Sequence, residues 1–350
     1  MIGTLFWIRI LGGMLAFMII FWSFGQFRYH QIRRGEFSLL AVLGTGLLSV
    51  SIHPNTINVV AGILSLDRVQ FGRVIAILLL SNFVLWIMIL AQRARLQHRD
   101  IQFDLLVRRL AQAKFEQTDG YDKIHEITVI MPALDEAENL KHVLPQIPQT
   151  VHGMPLGVLV VDDGSHDNTV SVVNSMGYSV VSNPINRGGG AALRLGYDIA
   201  RQGGACIVVT MDADGQHLPG EIERLVIPII EGQSDIVIGS RVIGYREKDS
   251  IVRWIGIHVY NKFINLLAGT RITDCTNGFR AFRVSALQQV LLMHDQFHTA
   301  ELIIEAARKK LRITEAPVSV MRRHTGFSKK GHNLSYGFNF FKSVFKAWYR

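Results

Sequence analysis

Apolar residues fall into two regimes along this chain. Up to about residue 100 they come in long runs, and from about residue 124 short β-branched blocks alternate with segments of helical spacing. Residues 5–24 form a run of spanning length broken only by Arg9 near its start, where a long side chain can reach the interface. This run lacks the basic start and small-residue cleavage site of a signal peptide, so it reads as a retained span. Residues 37–52 and 74–91 are two further candidate spans, the first short enough to suit a buried or tilted helix as well. The mixed stretch 56–71 between them reads as lying along the interface. Ile101, Leu105, Leu106, Leu110 and Phe115 recur among Arg108, Arg109 and Lys114. That is the pattern of an amphipathic interfacial helix, with a solvated linker helix as the plainer alternative.

Beyond residue 124 the pattern predicts strands at 127–131, 158–161, 178–181, 206–210 and 235–238, with Pro132 closing the first and a helix beginning over 136–146. Strands alternating with amphipathic helices predict an α/β domain with a mostly parallel sheet. The chain therefore divides into a membrane domain (1–100) of about three transmembrane helices, an amphipathic linker (101–123), a catalytic domain (124–330) and a basic amphipathic C-terminal helix (331–350). In the last, Phe338, Phe341, Phe345 and Trp348 alternate with Lys342, Lys346 and Arg350. Docking on the catalytic core and lying on anionic lipid are rival roles for it.

Composition sharpens this picture. In 350 residues, 49% are hydrophobic and the net charge is +9. Because Lys and Arg gather beside the apolar segments and near the C-terminus, the basic balance favours lipid and phosphate over nucleic acid as partners. Arg28, Arg33 and Arg34 follow the first span and Arg93, Arg95 and Arg99 the third. The positive-inside bias then predicts a multi-pass membrane protein with a cytoplasmic catalytic domain, leaving the N-terminus and the 53–73 loop outside. Cys206 and Cys275 are the only cysteines and read as reduced thiols.

Candidate chemistry sits where strands end. Val161-Asp162-Asp163-Gly164-Ser165 and Met211-Asp212-Ala213-Asp214 each close a β-branched run. Carboxylates at the C-terminal ends of neighbouring parallel strands converge on one crevice, where they can hold a divalent cation against a diphosphate and accept hydrogen bonds from ribose or base. Asp135, Glu136 and Glu138 crowd a helix start on the same edge. Asn186-Arg187-Gly188-Gly189-Gly190-Ala191-Ala192 opens a helix running to about residue 202. It is neither a Walker A loop nor a full dinucleotide fingerprint, and a tight turn is as good a reading as a phosphate contact. His294 and His298 have ligand-like spacing but no third ligand. Glu301 and Glu305 share a helix, either on a solvated face or with one facing an acceptor cleft.

From 127 to about 329 the chain resembles the polyisoprenyl-phosphate glycosyltransferases of glycosyltransferase family 2, the dolichyl-phosphate mannosyltransferase-like group. The resemblance rests on Pro132-Ala133-Leu134-Asp135-Glu136-Ala137-Glu138-Asn139-Leu140, Val161-Asp162-Asp163-Gly164-Ser165, Asp212-Ala213-Asp214-Gly215-Gln216-His217, Gly239-Ser240-Arg241, Asp274-Cys275-Thr276-Asn277-Gly278-Phe279-Arg280 and Arg323-His324-Thr325-Gly326-Phe327-Ser328-Lys329. It implies a GT-A fold, here preceded by an α-helical transmembrane domain. It further implies that Pro132, Leu134, Glu136, Val161 and Asp163 frame the nucleoside, and that Asp212, Asp214 and Gln216, with Ala213 between them, hold Mg²⁺ or Mn²⁺ on the donor diphosphate. Arg241, Arg323 and Lys329 would gather around phosphates, and Asp274 matches an acid near the acceptor. Arg241, Arg280 and Ser328 would serve the acceptor phosphate, and Asp214, Asp274 and Arg241 the chemistry.

The implied activity is inverting transfer of a sugar from a nucleotide sugar to a polyprenyl (undecaprenyl or dolichyl) phosphate at the cytoplasmic leaflet. The chain departs from the family pattern at Asp135, Gly189 and Asn277, which leaves base and sugar preference open, and it carries its spans before the catalytic domain. A processive polysaccharide synthase of the same fold is the enzymatic alternative. It lacks support because Ser250-Ile251-Val252-Arg253-Trp254 does not supply the Gln-x-x-Arg-Trp signature. A nucleotide-binding membrane scaffold is the non-enzymatic one. Oligomeric state, including a homo-oligomer, is left open by the sequence.

Overall fold

We describe the chain from a computed structural model, which describes residues 2–28, 34–66, 71–247, 251–293, 295, 298–323, 341, 343–345, 347 and 348. It forms two compact units, Met1–Arg99 and Asp100–Arg350.

The first unit contains α1 (Ile2–Arg28), α2 (Arg34–Ile52), α3 (Ile57–Ile63) and the start of α4 (Gly72–Phe115). Three stretches are long and apolar enough to cross a membrane: Arg9–Arg28, Gly35–Ile52 and Gly72–Arg93. Phe17, Phe21, Trp22, Phe83 and Trp86 are all exposed on them, a surface that is costly in water and suited to hydrocarbon. α1 and α2 approach closely at small residues. A Cβ on Gly44 would stand 2.5 Å from Ile20 Cγ1, and one on Gly12 2.6 Å from Ser51 Oγ. Hydroxyls on these helices bond back to their own carbonyls, Ser23 to Ile20 and Ser51 to Leu47. Residues 56–71 contain α3, whose Ile57 and Ala61 are buried. Residues 67–70 lie outside the described ones.

Two features of α4 differ from expectation. It runs unbroken from Gly72 to Phe115, so the predicted 101–115 helix is its last part. The buried side of that part is Val107, Ala111 and Phe115, while Ile101, Phe103, Leu105, Leu106 and Leu110 stay exposed. Ala111 and Phe115 belong to the hydrophobic core of the second unit. The segment that the pattern sets apart as a linker is thus packed into the catalytic unit.

That unit continues through β1 (Ile127–Ala133), α5 (Ala137–Val143), β2 (Thr150–Val151), β3 (Met154–Asp162), α6 (Thr169–Ser175), β4 (Ser179–Ser182), α7 (Gly189–Gln202), β5 (Ile207–Thr210), α8 (Ile222–Ile230), β6 (Ile236–Arg246), α9 (Ile251–Ala268), β7 (Arg280–Arg283), α10 (Val284–Leu287), α11 (His298–Arg308) and β8 (Ile313–Val320). β4, β3, β1 and β5 lie side by side in parallel, followed by β7, β6 and β8. β7 is antiparallel to both its neighbours, and the two-residue β2 pairs antiparallel with the start of β3. The sheet is mostly parallel, as expected. Its strands are apolar on both faces because each face carries a core. Ile130, Leu159 and Val161 face the core that includes α7, and Ile127, Val129 and Met131 the core that includes α8.

β1 runs past its expected end. Pro132 pairs with Val161 of β3, and the register with β5 stops at Ile130↔Thr210, so proline's missing N–H interrupts no ladder there. α7 lies flush on the sheet through Gly196, where a Cβ would come within 2.5 Å of Ile130 Cγ2 and 3.0 Å of Val161 Cγ2. Gly196→Val should therefore overpack this layer and cost about 1–3 kcal/mol in a denaturant melt. Unchanged stability would mean that α7 can lift without penalty.

Candidate functional site

The site is built from loops that leave the carboxyl ends of β1, β3 and β5, where the ends of parallel strands leave a crevice, together with Arg241 within β6 and the turn before β7. At β1, Asp135 takes φ +48°, a left-handed conformation that Asp tolerates better than most residues. It is held there by the loop after β3: its N–H donates to Ser165 Oγ at 2.8 Å, and His166 N–H donates to its Oδ1 at 2.7 Å. Glu136 N–H donates to Thr169 Oγ1 at 3.0 Å, and Ala137 N–H to Asp167 Oδ2 at 3.2 Å. The two loops expected to frame a nucleoside are thereby locked to each other. Ser165, Asp167 and Thr169 do this work; they stand in an ordinary turn sequence, and only the Asx-turn preference hints at them. Pro132 and Val161 are paired strand residues beneath these loops.

The Asp163 carboxylate is engaged by donors of its own fold. Its Oδ1 accepts from Asn183 Nδ2 at 2.9 Å and from Arg187 N at 3.1 Å, and its Oδ2 accepts from Gly188 N at 2.6 Å. Burial pushes its carboxyl above the usual range, against these three donors. The glycine loop is correspondingly occupied. Arg187 and Gly188 give their N–H groups to Asp163, and Gly190 gives its own to Asp295 O at 2.8 Å.

Asp212 and Asp214 follow β5 and flank the buried Ala213. Burial first, and then the charge of Asp212, pushes the Asp214 carboxyl up, against His217, the Gln216 N–H and Arg323. Gln216 donates Nε2 to Met321 O at 3.0 Å and its N–H to Asp214 Oδ1 at 3.1 Å, tying the Asp turn to the end of β8. His217, which the sequence did not single out, accepts from Asp212 N–H at Nδ1 (3.4 Å) and meets Asn277 Oδ1 through Nε2 at 2.9 Å. The 274–278 turn closes on Asp212, because a Cβ on Gly278 would stand 3.0 Å from Asp212 Oδ1. The loop after β5 and the turn before β7 therefore abut at a glycine.

At the start of that turn, the fully buried Asp274 forms a two-pronged ion pair with Arg241 of β6. Nε is 2.6 Å from Oδ2 and Nη2 3.1 Å from Oδ1, and Nη2 also reaches Thr276 Oγ1 at 2.8 Å. Glu315 on β8 fixes this turn by accepting the N–H groups of Thr273 and Asp274 at 2.9 and 3.0 Å. Burial alone would raise the Asp274 carboxyl. The hydrogen bonds and charge of Arg241, with the Thr276 N–H, outweigh it and hold Asp274 below the ordinary value.

Arg280 is corrected by the structure. Expected at a phosphate, it is enclosed in the core, with Nε on Asn277 O (2.7 Å), Nη1 on Thr299 O (2.9 Å) and Nη2 on Cys275 O (2.7 Å). It braces the 274–278 turn from behind through three backbone carbonyls. Glu301 and Glu305 are also buried, Glu301 accepting the Met293 N–H at 3.0 Å and Glu305 pairing with Arg308 at 2.6 Å, so neither lies on a solvated face. Arg323 pairs with Glu136, joining the segment after β8 to the loop after β1. Ser328, Lys329 and His294 lie outside the described residues. Of the C-terminal segment, Phe341 stacks edge-on against Tyr260 and Phe263 of α9, and Trp348 O accepts from Arg308 of α11. These residues dock on the catalytic unit, while Phe345 and Trp348 remain exposed.

Residues 128–291 match the profile of glycosyl transferase family 2. A UDP-N-acetylglucosamine–dolichyl-phosphate N-acetylglucosaminyltransferase of Methanococcus voltae is 31% identical over 238 residues, covering 61% of this chain and 93% of the relative. The chain belongs to glycosyl transferase family 2. A polyprenol monophosphomannose synthase of Mycolicibacterium smegmatis is 30% identical over 223 residues, covering 59% of this chain and 82% of that one. Among solved structures, glucosyl-3-phosphoglycerate synthase from Mycobacterium tuberculosis, in complex with Mn²⁺, UDP and phosphoglyceric acid, superposes with a TM-score of 0.50 at 20% identity. It covers 64% of this chain and 77% of that one, and the likeness is one of fold. The protein is thus a family 2 glycosyltransferase with a GT-A-like fold and, among the described residues, three apolar N-terminal helices.

Among the described residues no group of three or more His, Cys, Asp or Glu is placed to hold a metal ion. The protein itself offers two carboxylates, Asp212 and Asp214, and burial, then the charge of Asp212, raises Asp214. That donor set suits a hard divalent cation whose remaining ligands are phosphate oxygens and water.

Proposed function

We propose that this protein transfers a sugar from a nucleotide sugar to a polyprenyl phosphate, with inversion at the anomeric carbon and with dependence on Mg²⁺ or Mn²⁺. The observation that carries the reading is the junction at Gly278, where the Asp212/Asp214 carboxylates and the Arg241–Asp274 pair sit on abutting turns. Both relatives named above are transferases whose names specify dolichyl phosphate or polyprenol monophosphate chemistry.

Asp212 and Asp214 would hold the cation, which neutralises the donor diphosphate and stabilises the departing nucleoside diphosphate. Pro132, Leu134, Glu136 and Val161 would frame the nucleoside, and Arg323, with Lys329, would close over the diphosphate. Arg241 orients the acceptor phosphate. A phosphate monoester has its second pKa near 6 and is mostly dianionic at pH 7, so no strong general base is needed to activate its oxygen. Asp274, held ionised by Arg241, serves to aim that guanidinium. One in-line displacement of the nucleoside diphosphate then inverts the anomeric centre, with rate gained from positioning and charge stabilisation.

The reaction would take place at the cytoplasmic leaflet. Arg28, Arg93, Arg95 and Arg99 lie at or after the ends of the first and third apolar stretches. The ion pair between Glu36 at the start of α2 and Arg95 on α4 puts the beginning of the second stretch and the end of the third at one level of the first unit. Three spans with these ends inside bring the catalytic unit to the cytoplasm.

Offering a panel of UDP- and GDP-sugars with undecaprenyl phosphate, followed by mass spectrometry of the lipid fraction, tests the reading. A lipid phosphate heavier by one sugar is expected. Polymer without lipid-linked monosaccharide would favour the processive synthase, and tight nucleotide binding with no turnover on any donor the scaffold. A narrower prediction concerns Arg323. Removing its charge-assisted contacts in Arg323→Ala should weaken nucleoside diphosphate binding about tenfold or more by calorimetry; equal affinity would remove Arg323 from the donor site.

A further inference from the structure

We propose that residues outside the family-matched stretch support the donor site from behind: Asp104 and Arg108, on the part of α4 that follows the third apolar stretch, position the Arg187–Gly190 loop through a network of three carboxylates and three guanidinium groups. The inference rests on the donor-site reading above and adds to it residues that the family match, beginning at residue 128, does not include.

The contacts run in one connected set. Asp104 Oδ2 is 2.9 Å from Arg108 Nη2, and its Oδ1 is 2.9 Å from Arg194 Nη2 and 3.7 Å from Arg187 Nη2. Arg194 pairs in addition with Asp295 Oδ1, while Asp295 Oδ2 is 3.1 Å from Arg187 Nη2. Arg108 Nη1 extends the set to Asp198 at 2.8 Å. Arg187 also lies over the ring of Phe103, 5.1 Å from its centroid. The Arg194 side chain is only 7% exposed and that of Asp104 13%. At such burial every charge depends on its partners, and removing one leaves the others uncompensated.

The network reaches the glycine loop at three points. Arg187 is the first residue of that loop. Asp295 accepts the Gly190 N–H at its backbone oxygen, 2.8 Å away, and the same oxygen would lie 3.2 Å from a Cβ on Gly188. Gly188 takes φ +95°, open to glycine, and the loop has no large apolar side chain to anchor it. Its shape is therefore set by polar contacts: Asp163 below, through the N–H groups of Arg187 and Gly188, and the Asp295–Arg194–Asp104 chain beside it. Asp163 in turn donates its N–H to Ala133 O, at the end of β1 where the nucleoside loop begins. An unbroken series of ion pairs and hydrogen bonds thus links α4 to the floor of the donor site. Asp104, Arg108 and Arg194 are positioning residues, acting through Arg187 and Asp295.

The test uses the full-length protein in detergent micelles and compares Asp104→Ala with Val107→Ala. Val107 is buried on the same part of α4 and carries no charge, so its variant controls for loosened packing. Hydrogen exchange read without nucleotide should accelerate about tenfold at amides 187–191 in Asp104→Ala and stay unchanged there in Val107→Ala, a size one coupled contact can carry. In turnover, Asp104→Ala should raise the KM for the nucleotide sugar about tenfold while kcat stays within about twofold, with Val107→Ala unchanged in both. Unaltered exchange at 187–191 in Asp104→Ala overturns the proposal, as does an equal effect of Val107→Ala, which would reduce the network to general stability. Because exchange is measured on the unliganded protein, a wild type that transfers no sugar would sink the functional reading while leaving the exchange comparison decisive for the network.

Discussion

Alanine at position 214 is expected to lower sugar transfer by about three orders of magnitude or more while the protein still folds. A bound divalent cation is worth several kcal/mol of charge stabilisation, and each 1.36 kcal/mol is tenfold in rate. Stability should move the other way. Asp214 is pushed up by burial and by Asp212, so the folded state favours its protonated form. A raised carboxyl contributes stability at low pH that is lost as pH rises through the folded value, so at pH 7 the wild type carries a repulsion that alanine removes. Without divalent cation the variant should melt no lower than the wild type. Adding Mn²⁺ and UDP should stabilise the wild type and not Asp214→Ala. Full activity of the variant, or wild-type activity undiminished in excess EDTA, would falsify the cation-site assignment.

Much of the architecture was legible because hydrophobic burial writes periodicity into sequence. The apolar runs correspond to three helices long and apolar enough to span a membrane, and the β-branched blocks before Asp163 and Asp212 to the parallel strands β3 and β5. What escaped was set by tertiary context. β7 is Arg-Ala-Phe-Arg, with no strand signature of its own; it is extended because the slot between β5 and β6 supplies partners on both sides. In α4, Leu105, Leu106 and Leu110 advertise the more apolar stripe, yet Val107, Ala111 and Phe115 are the face that packs, beside arginines that find carboxylates on α7 and elsewhere. Residue type also misleads about buried charge. Arg280 reads as a phosphate ligand, but a sequence does not show whether a charged group's partners are a ligand or backbone groups of its own fold.

Arg241 and Asp274 carry the second large effect, and their burial dictates which variants are informative. Arg241→Ala would strand the Asp274 carboxylate, fully enclosed, without a counter-ion, at a cost of about 3–5 kcal/mol that confuses folding with function. Asp274→Asn keeps the shape and removes the charge that aims the guanidinium, and Arg241→Lys keeps the charge and removes the fork. Each should lower kcat/KM for polyprenyl phosphate about 100-fold, roughly 2.7 kcal/mol, and leave nucleoside diphosphate affinity within about twofold of wild type. The pH dependence separates the two. Asp274 sits below its ordinary value in the fold, so its stabilising contribution is present above the unfolded value near 3.9 and is lost as pH falls through the folded one. The melting-temperature gap between wild type and Asp274→Asn should accordingly be widest near neutrality and close below about pH 3.9, whereas Arg241→Lys, which retains a cation beside Asp274, should keep part of it. If Asp274→Asn turns over polyprenyl phosphate at the wild-type kcat/KM, the pair braces the turn and some other cation receives the acceptor.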